Sequence, residues 1–150
     1  MSTIAVLMGS VYGAAEELAE HFVDKLSAQG LKAQLFSDTE LAEIERFSPK
    51  TWLVVTSTTG TGDLPDNIVD LYTELQDQSP NLTKANYAVV AMGDSSYVDS
   101  FCGAGKQFDS LLNALNAASL LPRLDIDACE TTDPIAYSVE WFDALINKLT

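Results

Sequence analysis

Three stretches of small and polar residues carry whatever chemistry this sequence performs. The first is Gly9-Ser10-Val11-Tyr12-Gly13-Ala14-Ala15. It follows the apolar run Ile4-Ala5-Val6-Leu7-Met8 and opens onto a helical pattern that begins at Glu16. A strand that runs through a Gly/Ser turn into a helix start presents backbone N–H groups with no internal partners. They point outward with the positive end of the helix dipole, which makes an anion site. Gly9 and Gly13 allow close approach of a bound group, and Ser10 adds a hydroxyl. The spacing fits neither the triphosphate loop G-x-x-x-x-G-K-S/T nor the dinucleotide pattern G-x-G-x-x-G, which leaves one phosphate and hence a mononucleotide. Taken alone, the stretch reads equally as a plain strand–turn–helix connection.

The second stretch, Thr56-Ser57-Thr58-Thr59-Gly60-Thr61-Gly62-Asp63, offers hydroxyls, free backbone amides and two glycines against which a flat ligand can lie. The third runs from Gly93 and Asp94 to Gly103 and holds one aromatic, Tyr97, among small and acidic residues, with Phe101 just beyond. A phosphate at one end and an aromatic plate at the other suit flavin mononucleotide, FMN. Tyr97 stacked on the flavin would contribute about 0.5–1.5 kcal/mol beyond its burial. On composition alone, Tyr97 covering a loop is the equal alternative. Gly103-Ala104-Gly105-Lys106 has the look of a phosphate-loop ending, but Ser100 and Gln107 break that pattern.

These loops need a frame. Apolar runs at residues 3–8, Trp52–Val55 and Tyr87–Met92 read as buried strands, Lys32–Phe36 alternates like a strand nearer the edge, and Ser119–Ala128 holds a fifth strand interrupted by Pro122. Between them lie helical stripes: Leu18, Phe22 and Leu26; Leu41, Ile44 and Phe47; Ile68, Leu71 and Leu75; Phe108, Leu111, Leu112 and Leu115; and Trp141, Phe142, Leu145, Ile146 and Leu149. Gly30 closes the first helix, Ser37 with Glu40 suggests a capping box for the second, and Asp133-Pro134 caps the last. Continuous apolar strands alternating with helices predict a five-stranded parallel sheet in a three-layer α/β sandwich. Ligands of such sheets sit beyond the carboxyl ends of the strands, where the order reverses. Polar loops after strands one, three and four match the order 2-1-3-4-5.

Composition narrows the partners. The 150 residues, 47% hydrophobic, suffice for one domain spanning 1–150, and eight basic against 22 acidic residues give a net charge of −14. Nucleic acid and anionic membranes are poor partners for such a surface, and a basic protein is a good one. Cys102 and Cys129 have no metal-binding spacing and suit reduced thiols. His21, the one histidine, lies among Glu17, Glu20 and Asp24 and reads as a solvated residue. With no basic leader and no apolar stretch of membrane length, a cytoplasmic monomer is expected.

Thr58-Thr59-Gly60-Thr61-Gly62-Asp63-Leu64-Pro65-Asp66-Asn67, and Gly93-Asp94-Ser95-Ser96-Tyr97 leading to Phe101-Cys102-Gly103, resemble the flavin loops of the flavodoxin family. The likeness extends over the whole chain and is greatest to the short-chain MioC/YqcA group and to the FMN domains of diflavin reductases. It implies the flavodoxin-like fold, non-covalent FMN and electron transfer. Position by position, it implies that Ser10, Val11, Tyr12, Gly13, Ala14 and Ala15 hold the phosphate. Ser57, Thr58, Thr59, Gly60, Thr61 and Gly62 would line the inner face of the flavin. Tyr97 would be the outer ring, with Asp99, Phe101, Cys102 and Gly103 near the pyrimidine edge.

The sequence departs from the family pattern in three places. Tyr12 stands where the phosphate loop usually has its first threonine, and Ala14 or Ala15 where it has a later hydroxyl; each missing neutral hydrogen bond weakens binding by roughly 0.5–1.5 kcal/mol. Thr59 occupies a position where many relatives place an aromatic. The fifth strand lacks the insertion of long-chain members.

The expected function is a low-potential carrier that takes single electrons from a flavodoxin/ferredoxin reductase to an acceptor redox enzyme, docking on basic surfaces of both. Between Thr51 and Thr83 stand five acids, Asp63, Asp66, Asp70, Glu74 and Asp77, and no base. One unit charge at about 10 Å through water costs an added electron about 0.4 kcal/mol, or roughly 20 mV. The alternative is a quinone or NAD(P)H reductase on the same fold, which needs a substrate pocket that this short chain has no spare segment to build. A receiver-type signalling module needs acids where Gly9-Ser10 and Ser57-Thr58 stand.

Overall fold

The structure of the protein, a computed structural model, describes residues 3–10, 13–59, 62–96 and 101–150. The elements run β1 (Thr3–Gly9), α1 (Ala14–Ala28), β2 (Lys32–Phe36), α2 (Leu41–Phe47), β3 (Thr51–Thr56), α3 (Asp66–Gln78), β4 (Asn86–Gly93), α4 (Gly103–Ala114), β5 (Ala118–Ser119), β6 (Leu124–Asp127), α5 (Pro134–Tyr137) and α6 (Val139–Leu149). The sheet is parallel throughout, in the order β2-β1-β3-β4-β5, with β6 also paired to β4. β1, β3 and β4 fill its middle, buried on both faces, which is why they read as unbroken apolar runs.

The pleat divides one apolar run between two cores. Ile4, Val6 and Met8 join Leu18, Phe22 and Leu26 of α1 and Phe142 and Leu145 of α6 on one face. Ala5 and Leu7 face the other way, with Leu41 and Ile44 of α2, Leu71 and Leu75 of α3, and Phe108 and Leu112 of α4. Phe22 and Phe142 stack at 4.3 Å, tying α1 to α6. The expected three-layer sandwich is the observed one.

The break expected at Pro122 is present, and three other local expectations need correction. The fifth strand is two short pieces on one edge of β4, because Pro122 has no N–H to continue the ladder; Trp141 Nε1 donates to the Pro122 carbonyl at 2.9 Å across the gap. The capping box at α2 is absent: Glu40 is the N-cap without a side-chain bond, and the Leu41 N–H donates instead to Glu74 of α3 at 3.2 Å. The last helix is divided at Ser138. His21 is half-buried, its ring 6.2 Å from that of Phe22. The Asp133 cap is as expected, accepting the Ala136 N–H at 3.1 Å, with Pro134 opening the helix.

Candidate functional site

Parallel strands bring the ends of β1, β3 and β4 to one edge of the sheet, and the loops that follow them meet there. After β1, the chain turns through Gly13 at φ 87°, a left-handed conformation that suits glycine. The Gly13 N–H donates to Ser10 Oγ at 2.9 Å, and the Ser10 hydroxyl proton has no acceptor among the described residues. The Glu17 N–H is the first of α1 to find a helical acceptor, Gly13 O at 2.9 Å. The N–H groups of Ala14, Ala15 and Glu16 donate to none of the described residues. A row of donors at a helix start, without acceptors among the described residues, fits a phosphate.

Asn67, in the first turn of α3, fastens this loop from behind. Its Oδ1 accepts the Ser10 N–H at 3.0 Å, while its Nδ2 donates to Ser37 Oγ at 3.2 Å and lies 3.5 Å from Met8 Sδ. Gly9 has a different duty from the one its position suggests. A Cβ there would lie 2.6 Å from Thr56 Oγ1 and 2.7 Å from Ile68 Cγ2, so its bareness makes room for the protein's own packing.

The other two loops interlock. The Ser57 N–H donates to Gly9 O at 2.9 Å, and Thr59 and Asp63 exchange backbone bonds at 2.9 and 2.7 Å, closing a tight loop whose far side turns at Gly62, φ 96°. Thr58 Oγ1 accepts the Ala104 N–H at 3.2 Å, and Gln107 Nε2 donates to Gly62 O at 2.7 Å. Backbone touches backbone here, since a Cβ on Gly103 would stand 2.9 Å from Gly62 Cα, and one on Gly93 would stand 2.6 Å from the Cys102 nitrogen. Cys102 caps α4 in a left-handed conformation, φ 56°, fully buried, with Sγ 3.4 Å from Ala91 O. Burial, reinforced by the Asp125 charge, pushes its thiol up to about 12. Phe101 is half-buried beneath the Lys106 ammonium, 5.7 Å from the ring centre.

Asp94 is turned toward the end of the sheet's outer edge. Its Oδ1 accepts the Ser96 N–H at 2.9 Å, the Ser96 hydroxyl at 2.5 Å and the Cys129 thiol at 2.7 Å. These bonds, the thiol's first, hold its carboxyl below the usual range, and the same bond to Asp94 raises the Cys129 thiol. Next to it, Asp127 Oδ1 accepts the Ser95 N–H at 3.1 Å and the Cys129 N–H at 2.9 Å. Its carboxyl is also lowered, first by the bond with Ser95.

Thus Ser10, Gly13, Ala14, Ala15, Ser57, Thr58, Thr59, Gly62, Gly93, Asp94, Phe101, Cys102 and Gly103 all lie in the three loops at one edge. Val11, Tyr12, Gly60, Thr61, Tyr97 and Asp99 lie outside the described residues. Asn67, Gln107 and Asp127, which fasten those loops, were given no role in the site by the sequence; their partners lie 57, 45 and 32 residues away.

The family model for flavodoxin matches residues 6–142. The chain belongs to the flavodoxin family. It is 44% identical over 146 residues to Flavodoxin YqcA of Escherichia coli (strain K12), covering 95% of each chain, and 32% identical over 149 residues to Protein MioC of the same strain, covering 99% of each. A solved flavodoxin from Pseudomonas aeruginosa, carrying a cysteine-to-serine substitution, superposes with a TM-score of 0.93 at 43% identity over 98% of both chains. The family brings FMN as cofactor and electron transfer as activity, and these are the properties of this flavodoxin. Among the described residues, no helix is long and apolar enough to cross a membrane.

Proposed function

We propose that this flavodoxin is a cytoplasmic carrier without substrate chemistry of its own. It takes electrons from a flavodoxin- or ferredoxin-type reductase and passes them singly, at low potential, to an acceptor redox enzyme. It works as a monomer and docks on basic surfaces of both partners. When bound, FMN supplies one-electron redox chemistry. The chain supplies donors from the starts of α1 and the Ser10 hydroxyl for the phosphate, and the packed backbone of Thr58, Gly62 and Gly103 as one wall for the ring.

The observation that carries the docking reading is how charge is divided between the two ends of the sandwich. Helices in this fold run against the strands, so strand starts and helix ends share one edge. Lys25, Arg46 and Lys148 stand in the last turns of α1, α2 and α6. Lys32, Lys50, Lys84 and Arg123 stand at or just before the starts of β2, β3, β4 and β6, and Arg123 is already paired with Asp109 and Asp125. Of the eight bases only Lys106 lies at the ligand edge. That edge holds Glu16 and Glu17 of α1, Asp66 of α3, and Asp63, Asp94, Asp127, Glu130 and Asp133 in its loops. A molecule charged this way turns its flavin edge toward a basic partner before contact.

The test is the rate of reduction by a flavodoxin reductase across a salt series. Between 20 and 300 mM salt, the second-order rate should fall about tenfold or more, because the Debye length shrinks to a few ångströms. A flat response refutes electrostatic docking. Steady NADPH oxidation by the protein alone, without a reductase, refutes the carrier role and favours a flavin-dependent reductase.

A further inference from the structure

We propose that Asp127, at the end of β6, is a positioning residue for FMN binding: it holds the 93–96 segment from which the third flavin loop springs. The inference rests on the FMN reading above and adds a residue outside the three loops to the machinery.

The geometry is a closed stitch between two loops that are distant in sequence. From one side, the Ser95 N–H reaches Asp127 Oδ1, and Asp94 Oδ1 gathers both donors of Ser96. From the other, Cys129 sends its N–H to Asp127 and its thiol proton to Asp94. The strand ends are joined beneath, where the Ala128 N–H donates to Gly93 O at 2.8 Å. Gly93 and Asp127 are themselves register partners in the sheet, so the stitch begins where the ladder stops. Beyond the ladder itself, the bonds between these two loops among the described residues run through Asp127, Ala128 and Cys129.

The direction of these bonds decides what Asp127 does. Its Oδ1 accepts two backbone N–H groups, so it fixes backbone positions on both loops. One of those groups belongs to Ser95, eight residues before the start of α4 and within the loop that runs from β4 to Phe101. Without that acceptor the segment is held at Gly93 and by Asp94 alone, and binding a flavin must then pay the entropy of ordering it. An exposed acid at this edge could instead act only through its charge, repelling the FMN phosphate and an added electron. The two roles predict opposite signs. Removing a mere charge tightens FMN binding, and removing an acceptor that orders the loop weakens it.

The experiment compares Asp127→Asn, Asp127→Ser and Asp127→Ala with the parent protein, using FMN fluorescence quenching for affinity and a potentiometric titration for the two one-electron steps. Asn keeps an oxygen where Oδ1 stands, whereas Ser and Ala do not; all three remove the same charge. The expected result is parent-like affinity, within about twofold, for Asn, and affinity about five- to tenfold weaker for Ser and Ala. The same small positive shift of potential is expected in all three. Amide exchange at Ser95 and Ser96 in the holoprotein should quicken in Ser and Ala only. Equal affinities in all three variants, or tighter binding by Ala, overturn the proposal. A parent protein that fails to bind FMN refutes the cofactor reading instead, so the two failures are distinct. The Ser variant retains a small polar side chain on an exposed loop and guards against a folding defect in Ala.

Discussion

Asn67→Ala is the substitution that most directly tests how the phosphate loop is held. The side chain makes two ordinary hydrogen bonds, from the Ser10 N–H and to Ser37 Oγ, besides a weak contact with Met8 Sδ. Each neutral bond contributes about 0.5–1.5 kcal/mol net, and the site is only part-buried, so the apoprotein should lose about 1–2 kcal/mol. For a chain of this size that is a fall in Tm of roughly 2–8 °C. FMN affinity should drop about fivefold, since the loop after β1 must then be ordered at the moment of binding. Asn67→Asp separates structure from charge. A carboxylate still accepts the Ser10 N–H, and the Ser37 hydroxyl can turn to donate to it, so stability should return to near the parent value. The new charge, taken at about 10 Å from a doubly charged phosphate through water, costs about 0.8 kcal/mol, or about fourfold in affinity. That part should vanish in 0.5 M salt. Calorimetry of apo- and FMN-bound protein checks both variants. If Ala leaves Tm and affinity unchanged, or if Asp binds FMN as tightly as the parent at low salt, then Asn67 does not hold this loop against a phosphate.

Three further outcomes follow from the packing and the titrating groups. Gly105→Ala drives a Cβ to 2.2 Å from Ala91 Cβ and 3.0 Å from its Cα in β4. An overpacking cost of about 1–3 kcal/mol outweighs the roughly 1 kcal/mol of helix propensity gained, so denaturant titration should show a net loss of stability, and an unchanged or raised midpoint contradicts it. Iodoacetamide at pH 8 should alkylate exposed Cys129 and spare Cys102, whose thiol, pushed up to about 12, is ionised in only about one molecule in ten thousand. Rapid double labelling of the native protein, read by mass spectrometry, would contradict this. Finally, Asp94 and Asp127 both titrate below their ordinary range. Depressed carboxyls stabilise the fold fully above their unfolded value of about 3.9, and that contribution is lost as pH falls through the lower folded values. FMN release followed by fluorescence should therefore be flat from pH 8 to 5 and rise only below about pH 4, with the rise blunted in Asp127→Asn. A midpoint near pH 6 would point to another group.

The layers of this fold were legible because they depend on neighbours in sequence. An apolar strand buried on both faces announces itself in four or five residues, as Leu53, Val54 and Val55 do, and a helical stripe in seven or eight. Proline at 122 marked the break in the outer strand for the same reason, since a missing N–H is a property of the residue alone. Where a local motif competes with a distant partner, sequence reading fails. Ser37 and Glu40 have the spacing of a capping box, yet the helix starts later, with Glu40 itself at the N-cap, and Glu74, 33 residues beyond Leu41, accepts the Leu41 N–H. Ser37 is engaged elsewhere, accepting from Asn67.

At the site, the division falls between the residues that would face a ligand and the residues that hold those in place. Loops rich in Gly, Ser and Thr at three strand ends identify the first group, because close approach and free donors are local properties. The second group is set by the fold. Ala104 meets Thr58, 46 residues away, and Gln107 meets Gly62, 45 away, only because β3 and β4 are neighbours in the sheet. Gly9 shows the same limit from the other side. A glycine at the head of a phosphate loop reads as clearance for a ligand. Thr56 and Ile68, brought there by β3 and α3, occupy the space its missing Cβ leaves. Substituting Gly9 would therefore damage the junction of three elements whether or not FMN were bound, and loss of binding in such a variant would say nothing about contact with the phosphate.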